Sequence, residues 1–189
     1  MAPTRDTIVA FLADILTRRG AESYLGEAVT MQQHMLQAAH LAEREAAGDD
    51  LIAAALLHDI GHYTGEFGDD YLARGIDNLH EEAGARVLAP FFPPVLVACV
   101  RLHVAAKRYL CATDTAYFAA LSPASVATLQ LQGGPMTAAE QADFARTPFF
   151  AESLRVRRWD DAAKNPAAIT PPFAHYAPVL VRVARRAAG

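Results

Sequence analysis

Cysteine is nearly absent from this chain: Cys99 and Cys111 are the only two in 189 residues, both in apolar surroundings and without CxxC spacing. That excludes a disulfide-framed scaffold, and free, buried thiols in a reducing cytoplasm are expected, a bridge between the two having no support in their setting. Long apolar runs are missing too. No stretch of about 18 apolar residues occurs, and Arg5 and Asp6 precede a periodic segment rather than the apolar core of a leader, so a soluble, cytoplasmic protein is expected, with no membrane partner. Positive charge is not in excess either. The 17 Lys and Arg against 21 Asp and Glu give a net −4, which argues against a broad nucleic-acid footprint while leaving room for a local cationic pocket that holds a small anion. Strand patterns, internal repeats and low-complexity segments do not appear. What remains is ordinary for a globular protein, 52% hydrophobic and 20% charged, and long enough for one domain with a sizeable core.

The apolar period is helical. Ile8, Phe11, Leu12 and Ile15 mark a first amphipathic helix ending near Arg19-Gly20, followed by a connection holding Tyr24 and Glu27. A second helix is expected over 28–47, and Gly48-Asp49-Asp50 stops it, with aspartate as a candidate cap for the third. Further helices are expected over 78–88, from Val95 through His103, and over 116–121, 124–131, 138–145, 152–164 and 176–186. Residues 64–76, rich in glycine and aspartate, read as a loop long enough to be functional. The fold class is all-α: one helical domain over 1–189.

Within the apolar run Ala53-Ala54-Ala55-Leu56-Leu57-His58-Asp59-Ile60-Gly61-His62, a His-Asp pair is costly to bury unless something compensates it. A metal ion does so. Adding His34, His80, His103 and Asp160 gives four histidines and two aspartates on separate helices, too many for one open site and about right for two, and separate helices can each point a ligand into a bundle interior. Imidazole nitrogen with carboxylate oxygen suits iron, manganese or zinc. His40 and His175 read as solvent-facing or core-edge residues, and Trp159 as packing.

These residues resemble those of the HD-domain superfamily and its binuclear branch. The segments Tyr24-Leu-Gly-Glu27, His58-Asp59-Ile-Gly-His62-Tyr63, His103-Val-Ala-Ala-Lys107-Arg108-Tyr109-Leu110 and Gln132-Gly-Gly-Pro-Met136, with Asp160 after Arg157-Arg158-Trp159, narrow it. They resemble the mixed-valent di-iron oxygenases of the PhnZ and TmpB kind, which cleave carbon–phosphorus bonds in organophosphonates. The resemblance spans about residues 24–160. It implies a central di-metal site: one ion held by His34, His58, Asp59 and Asp160, the other by Asp59, His80 and His103, with Asp59 as bridge. It also implies two irons as Fe(II)/Fe(III), dioxygen as co-substrate and a small organophosphonate as partner. His62 would hydrogen-bond substrate, Lys107 would neutralise the phosphonate as a point charge, and Ser125 and Gln132 would be its neutral partners. Tyr24 would close an iron position until substrate arrives, and Glu27 would then hold the tyrosine away.

On this resemblance the substrate is a 1-hydroxyethylphosphonate substituted at C2. A quaternary ammonium lacks donors and is held by aromatic faces with negative charge nearby, a composition that Tyr63, Phe67 and Tyr71 with Glu66, Asp69 and Asp70 supply. The expected reaction is therefore conversion of 1-hydroxy-2-(trimethylammonio)ethylphosphonate to glycine betaine and phosphate. The 2-amino compound, giving glycine, is the alternative. Two other readings share the same ligands: an HD-type phosphohydrolase using the ions to activate water, and a regulatory HD-like module without catalysis, against which the intact six-residue set argues.

Overall fold

The computed structural model describes residues 3–22, 24, 27–64 and 77–186. Ten helices follow in chain order among them: α1 (Ile8–Arg19), α2 (Met31–Arg44), α3 (Asp49–Leu57), α4 (His80–Leu88), α5 (Pro94–Thr113), α6 (Thr115–Ala119), α7 (Pro123–Leu131), α8 (Ala138–Phe144), α9 (Phe150–Ala162) and α10 (Phe173–Arg186). A single 3₁₀ turn, Ile60–Tyr63, follows α3. No strand occurs among the described residues, and none of their helices is long and apolar enough to cross a membrane.

Local chemistry sets the helix starts. Thr30 and Gln33 form a reciprocal capping box at α2, Thr137 and Glu140 another at α8, and Ser122 caps α7 ahead of Pro123. The expected aspartate cap of α3 is corrected: Gly48 occupies the cap position. Asp49 and Asp50 lie in the first turn, where their charge suits the helix dipole and they reach across to Arg182 and Arg186 of α10. The last helix begins at Phe173, three residues earlier than expected, with Pro178 inside it.

Every residue from Leu51 to Leu57 is buried, so α3 runs through the middle of the molecule. Around it lie α2, α5, α9 and α10, while α4 packs on α5 and on the 3₁₀ turn. One apolar core joins Ile8, Leu12 and Leu16 of α1 through Met35, Leu56, Leu57 and Leu96 to Tyr176, Leu180 and Val183 of α10. Burial of this kind, worth about 25 cal/mol per Å² of apolar surface, is what holds short helices in place.

Glycine governs the contact between the 3₁₀ turn and α4. Gly61 faces the backbone of His80 and Gly84 so closely that a Cβ on it would sit 1.8 Å from the His80 carbonyl oxygen. That approach brings the chain after His58-Asp59 against the N-terminus of the helix that begins with His80. The expected loop at 64–76 lies outside the described residues beyond Thr64, and with it Glu66, Phe67, Asp69, Asp70 and Tyr71.

Candidate metal centre and pocket

The buried centre of the bundle is polar. His34 comes from α2, His58 and Asp59 from the end of α3, His80 from the first residue of α4, His103 from the middle of α5 and Asp160 from α9, and all six are buried. Helix α3 stops at Leu57, so His58 and Asp59 stand in the turn beyond it rather than in its last helical residues.

A hydrogen bond behind each histidine fixes its tautomer. His34 Nδ1 lies 3.0 Å from the Ala163 carbonyl, His58 Nδ1 2.8 Å from that of Ala55, His103 Nδ1 2.7 Å from that of Val100, and His80 Nδ1 3.0 Å from Asn78 Oδ1. These oxygens only accept, so each Nδ1 carries the proton and each Nε2 presents a lone pair to the centre. Yet His34 Nε2 and His58 Nε2 are 3.0 Å apart, as are His80 Nε2 and His103 Nε2. Two lone pairs at that distance repel unless a proton or a metal ion lies between them.

The carboxylates complete two groups. Asp59 Oδ2 is 3.4 Å from both His34 Nε2 and His58 Nε2, and Asp160 Oδ1 is 3.3 and 3.6 Å from the same atoms. Asp59 Oδ1 is 3.3 Å from His80 Nε2 and 3.4 Å from His103 Nε2. Asp59 Oδ2 and Asp160 Oδ1 are buried without a hydrogen-bond partner. Ligand atoms about 2.1 Å from one ion stand about 3.0 Å apart at a right angle and about 3.4 Å apart at the tetrahedral angle. The observed separations match those edges, so the donor set fits metal ions, with the two oxygens of Asp59 facing different groups.

The electrostatics agree. Burial alone would lower His34 and His58 and raise Asp59 and Asp160. The imidazoles and carboxylates outweigh it in one another's favour: both histidines are raised, and both aspartates, Asp160 with Arg157 as its strongest partner, are held well below the usual carboxylate range. At His103 burial prevails and the imidazole is lowered, so the protons that metal entry would displace belong to the His34–His58 group.

An open pocket adjoins the centre, lined by Tyr24, Glu27, His62, Lys107, Ser125 and Gln132 among others. It therefore collects these six, whereas Tyr63, expected among the aromatics around the ammonium head group, is not part of its lining and has its ring under the Arg19 guanidinium, 5.2 Å from the centroid. His62 does not continue the face of α3, because the chain switches to the 3₁₀ turn after Asp59. That turn stacks the His62 ring on His80, centroids 4.0 Å apart, with Nε2 3.9 Å from Asp59 Oδ1. Asn78 Nδ2 donates to His62 Nδ1 at 3.1 Å, so the His62 proton sits on Nε2. Burial above all keeps this imidazole well below its ordinary value and hence neutral. Tyr24 is buried with its ring stacked on His34, centroids 3.9 Å apart.

Five polar pocket residues were missed from sequence: Asp77, Asn78, Thr128, Arg157 and Lys164. Arg157 Nη1 lies 2.7 Å from Asp160 Oδ2, leaving Oδ1 to the metal group, and it also pairs with Asp161. Lys107 Nζ donates to Thr128 Oγ1 at 3.0 Å, and Thr128 passes its own proton to the Ser125 carbonyl. A signal for Lys164 existed in composition: Lys107 and Lys164 are the chain's only lysines, and both line this pocket. Arg108 instead clamps Gly134 and Glu140. Trp159 is buried under Arg155, and His175 and His40 bracket Glu43 away from the centre. Cys99 and Cys111 are free thiols, both buried.

A helical bundle with a His-Asp pair at its centre and metal-type ligands from surrounding helices is the arrangement of an HD domain, and that family matches residues 31–121. Similarity extends further along the chain. It is 51% identical over 179 residues to a 1-hydroxy-2-(trimethylamino)ethylphosphonate dioxygenase (glycine-betaine-forming) of Leisingera caerulea, covering 95% of this chain and 91% of that protein. It is 44% identical over 171 residues to a hydroxymethylphosphonate dioxygenase of Gimesia maris, covering 89% and 84%. The chain belongs to the HD-domain oxygenases that act on organophosphonates.

Proposed function

We propose that this protein is a di-iron oxygenase that converts 1-hydroxy-2-(trimethylammonio)ethylphosphonate and dioxygen to glycine betaine and inorganic phosphate. The observation that carries the binuclear reading is the pair of Nε2–Nε2 contacts at 3.0 Å, joined through the two oxygens of Asp59 and opening on a pocket with a buried lysine. His34, His58, Asp59 Oδ2 and Asp160 would hold one iron, and Asp59 Oδ1, His80 and His103 the other. Two irons of mixed valence would supply activation of dioxygen and Lewis acidity toward the substrate's hydroxyl and phosphonate. The substrate carbon that bears the hydroxyl loses its hydrogen and its bond to phosphorus. Both dioxygen atoms are accounted for in carboxylate and phosphate, with one proton released.

The chain's own groups orient this reaction. The Nε2 proton of His62 donates to a substrate oxygen beside the His80 and His103 group. Lys107 meets the phosphonate, and Ser125 and Gln132 complete its surroundings. Tyr24, stacked on His34, guards the other group until substrate arrives, and Glu27 takes part in that exchange. The choice of a trimethylammonium head group is supported by the relative at 51% identity, whose name specifies that substrate.

Steady-state assays under air decide the reading, comparing the trimethylammonio, 2-amino and unsubstituted hydroxymethyl phosphonates. The trimethylammonio compound should have the highest kcat/KM, with one dioxygen consumed per phosphate released. Phosphate release that continues without dioxygen would indicate hydrolysis instead.

Lys107 gives a pH signature. Burial, then the charge of Arg157, lowers its amine to about 7. A bound phosphonate favours the ammonium and raises that value. Tight binding is thus fully present below pH 7 and is lost as pH rises through the raised value in the complex, by up to about tenfold per unit. KM of the wild type should climb accordingly. In Lys107→Met the climb should vanish, at a KM elevated about tenfold or more for loss of a charge-assisted contact. An identical KM profile in the two proteins would remove Lys107 from the binding site.

A further inference from the structure

The two lysines of the pocket have different surroundings. Among the described residues Lys107 has a hydroxyl partner, Thr128, and no carboxylate in ion-pair contact. Lys164 stands between two carboxylates, with Nζ 3.4 Å from Glu27 Oε1 and 3.6 Å from Asp161 Oδ1, and its shortest contact is 2.6 Å to Ser125 Oγ. Its charge is therefore matched within the protein.

Counting protons gives the direction of each bond. An ammonium only donates, so Ser125 Oγ accepts from Lys164. A serine hydroxyl has one proton of its own. The neighbouring Ser122 spends its proton on Glu27 and accepts the Ser125 backbone N–H at 3.1 Å. The Ser125 hydroxyl proton has no acceptor among the described residues, although the side chain is buried and lines the pocket. A buried donor left unspent is costly, and a ligand oxygen that only accepts would satisfy it.

We propose that Lys164 is a positioning residue that occupies the acceptor side of Ser125 Oγ and so fixes the Ser125 hydroxyl as a donor toward the anionic head group of the substrate. This rests on the phosphonate reading above. Without Lys164 the acceptor side of Ser125 Oγ is unoccupied, the hydroxyl is free to rotate, and it can offer a lone pair to the pocket, where a phosphonate oxygen is repelled by it. Lys164 thus acts on substrate through Ser125, and the two side chains form one functional unit.

A double-mutant cycle on the iron-loaded protein tests this, with methylphosphonate as probe, binding read by calorimetry, and iron content and unfolding temperature checked for each variant. Ser125→Ala and Lys164→Met should each weaken binding about tenfold, since each removes the same charge-assisted contact. The double variant should remain within about threefold of the weaker single variant, because residues in one network do not add. Losses that multiply to about a hundredfold would overturn the proposal and leave Lys164 as an independent charge. If Lys164→Met does not fold, Lys164→Gln completes the same cycle. A wild type that binds no methylphosphonate would overturn the phosphonate reading itself, and this inference with it.

Discussion

Asp59→Ala is expected to retain neither metal ion at full occupancy and to lose activity by about a thousandfold or more, equivalent to about 4 kcal/mol of transition-state stabilisation. The reason is that its two oxygens face different groups: Oδ1 the His80–His103 pair and Oδ2 the His34–His58 pair. Removing it leaves four imidazoles whose lone pairs confront each other at 3.0 Å with a single carboxylate, Asp160, on one side only. His103→Ala provides the contrast, since it touches one pair and should empty mainly that one. Iron measured per chain after anaerobic purification separates the cases. An Asp59→Ala protein that keeps two ions would refute the bridge, and about one ion in the wild type, with iron supplied during expression, would refute the binuclear centre.

The second large effect concerns backbone rather than chemistry. A methyl group at Gly61 would lie 1.8 Å from the His80 carbonyl oxygen and 2.7 Å from the Gly84 nitrogen. Neither is the tip of a flexible side chain, so α4 itself must move. We expect Gly61→Ala to destabilise the protein by about 3 kcal/mol, the upper range for forced overpacking, which at this chain length lowers Tm by roughly 10 °C. Because α4 begins with His80, metal occupancy should fall too, so the measurement is made on metal-free protein as well. Gly48→Ala is the control: nothing lies within 4 Å of a Cβ there. Equal melting curves for Gly61→Ala and wild type would show that the turn and α4 can separate at no cost.

How much could be read before any coordinates follows from these same residues. His58 and Asp59 were legible because a polar pair inside an apolar run needs a reason, and His34, His80, His103 and Asp160 because each stands on its own expected helix and fits the pattern of the family the chain resembles. The helices were legible from their apolar period, to within a few residues at each end. The supporting groups were not. Lys164 meets Ser125 from 39 residues away and His34 meets the Ala163 carbonyl from 129, and such pairs leave no local pattern. Asn78 lies two residues before His80, yet its double role, holding His80 with one amide atom and His62 with the other, depends on a 3₁₀ turn that residue spacing did not reveal. Gly48 takes the cap of α3 and leaves Asp49 and Asp50 in its first turn, paired with α10 arginines more than 130 residues away, a contact local sequence does not reveal.

With fifteen arginines but only two lysines, both in the pocket, the described surface offers amine-directed reagents almost nothing to attach to. An acylating dye, a bifunctional crosslinker or an activated resin would find an α-amino group or the pocket itself. Lys107, lowered to about 7, is partly free amine at neutral pH but is buried, so a reagent reaches it only by entering the pocket. Routine tagging through amines would therefore damage the enzyme in proportion to its success. Both cysteines are buried, so thiol reagents are no easier, and a surface handle for immobilisation has to be engineered in.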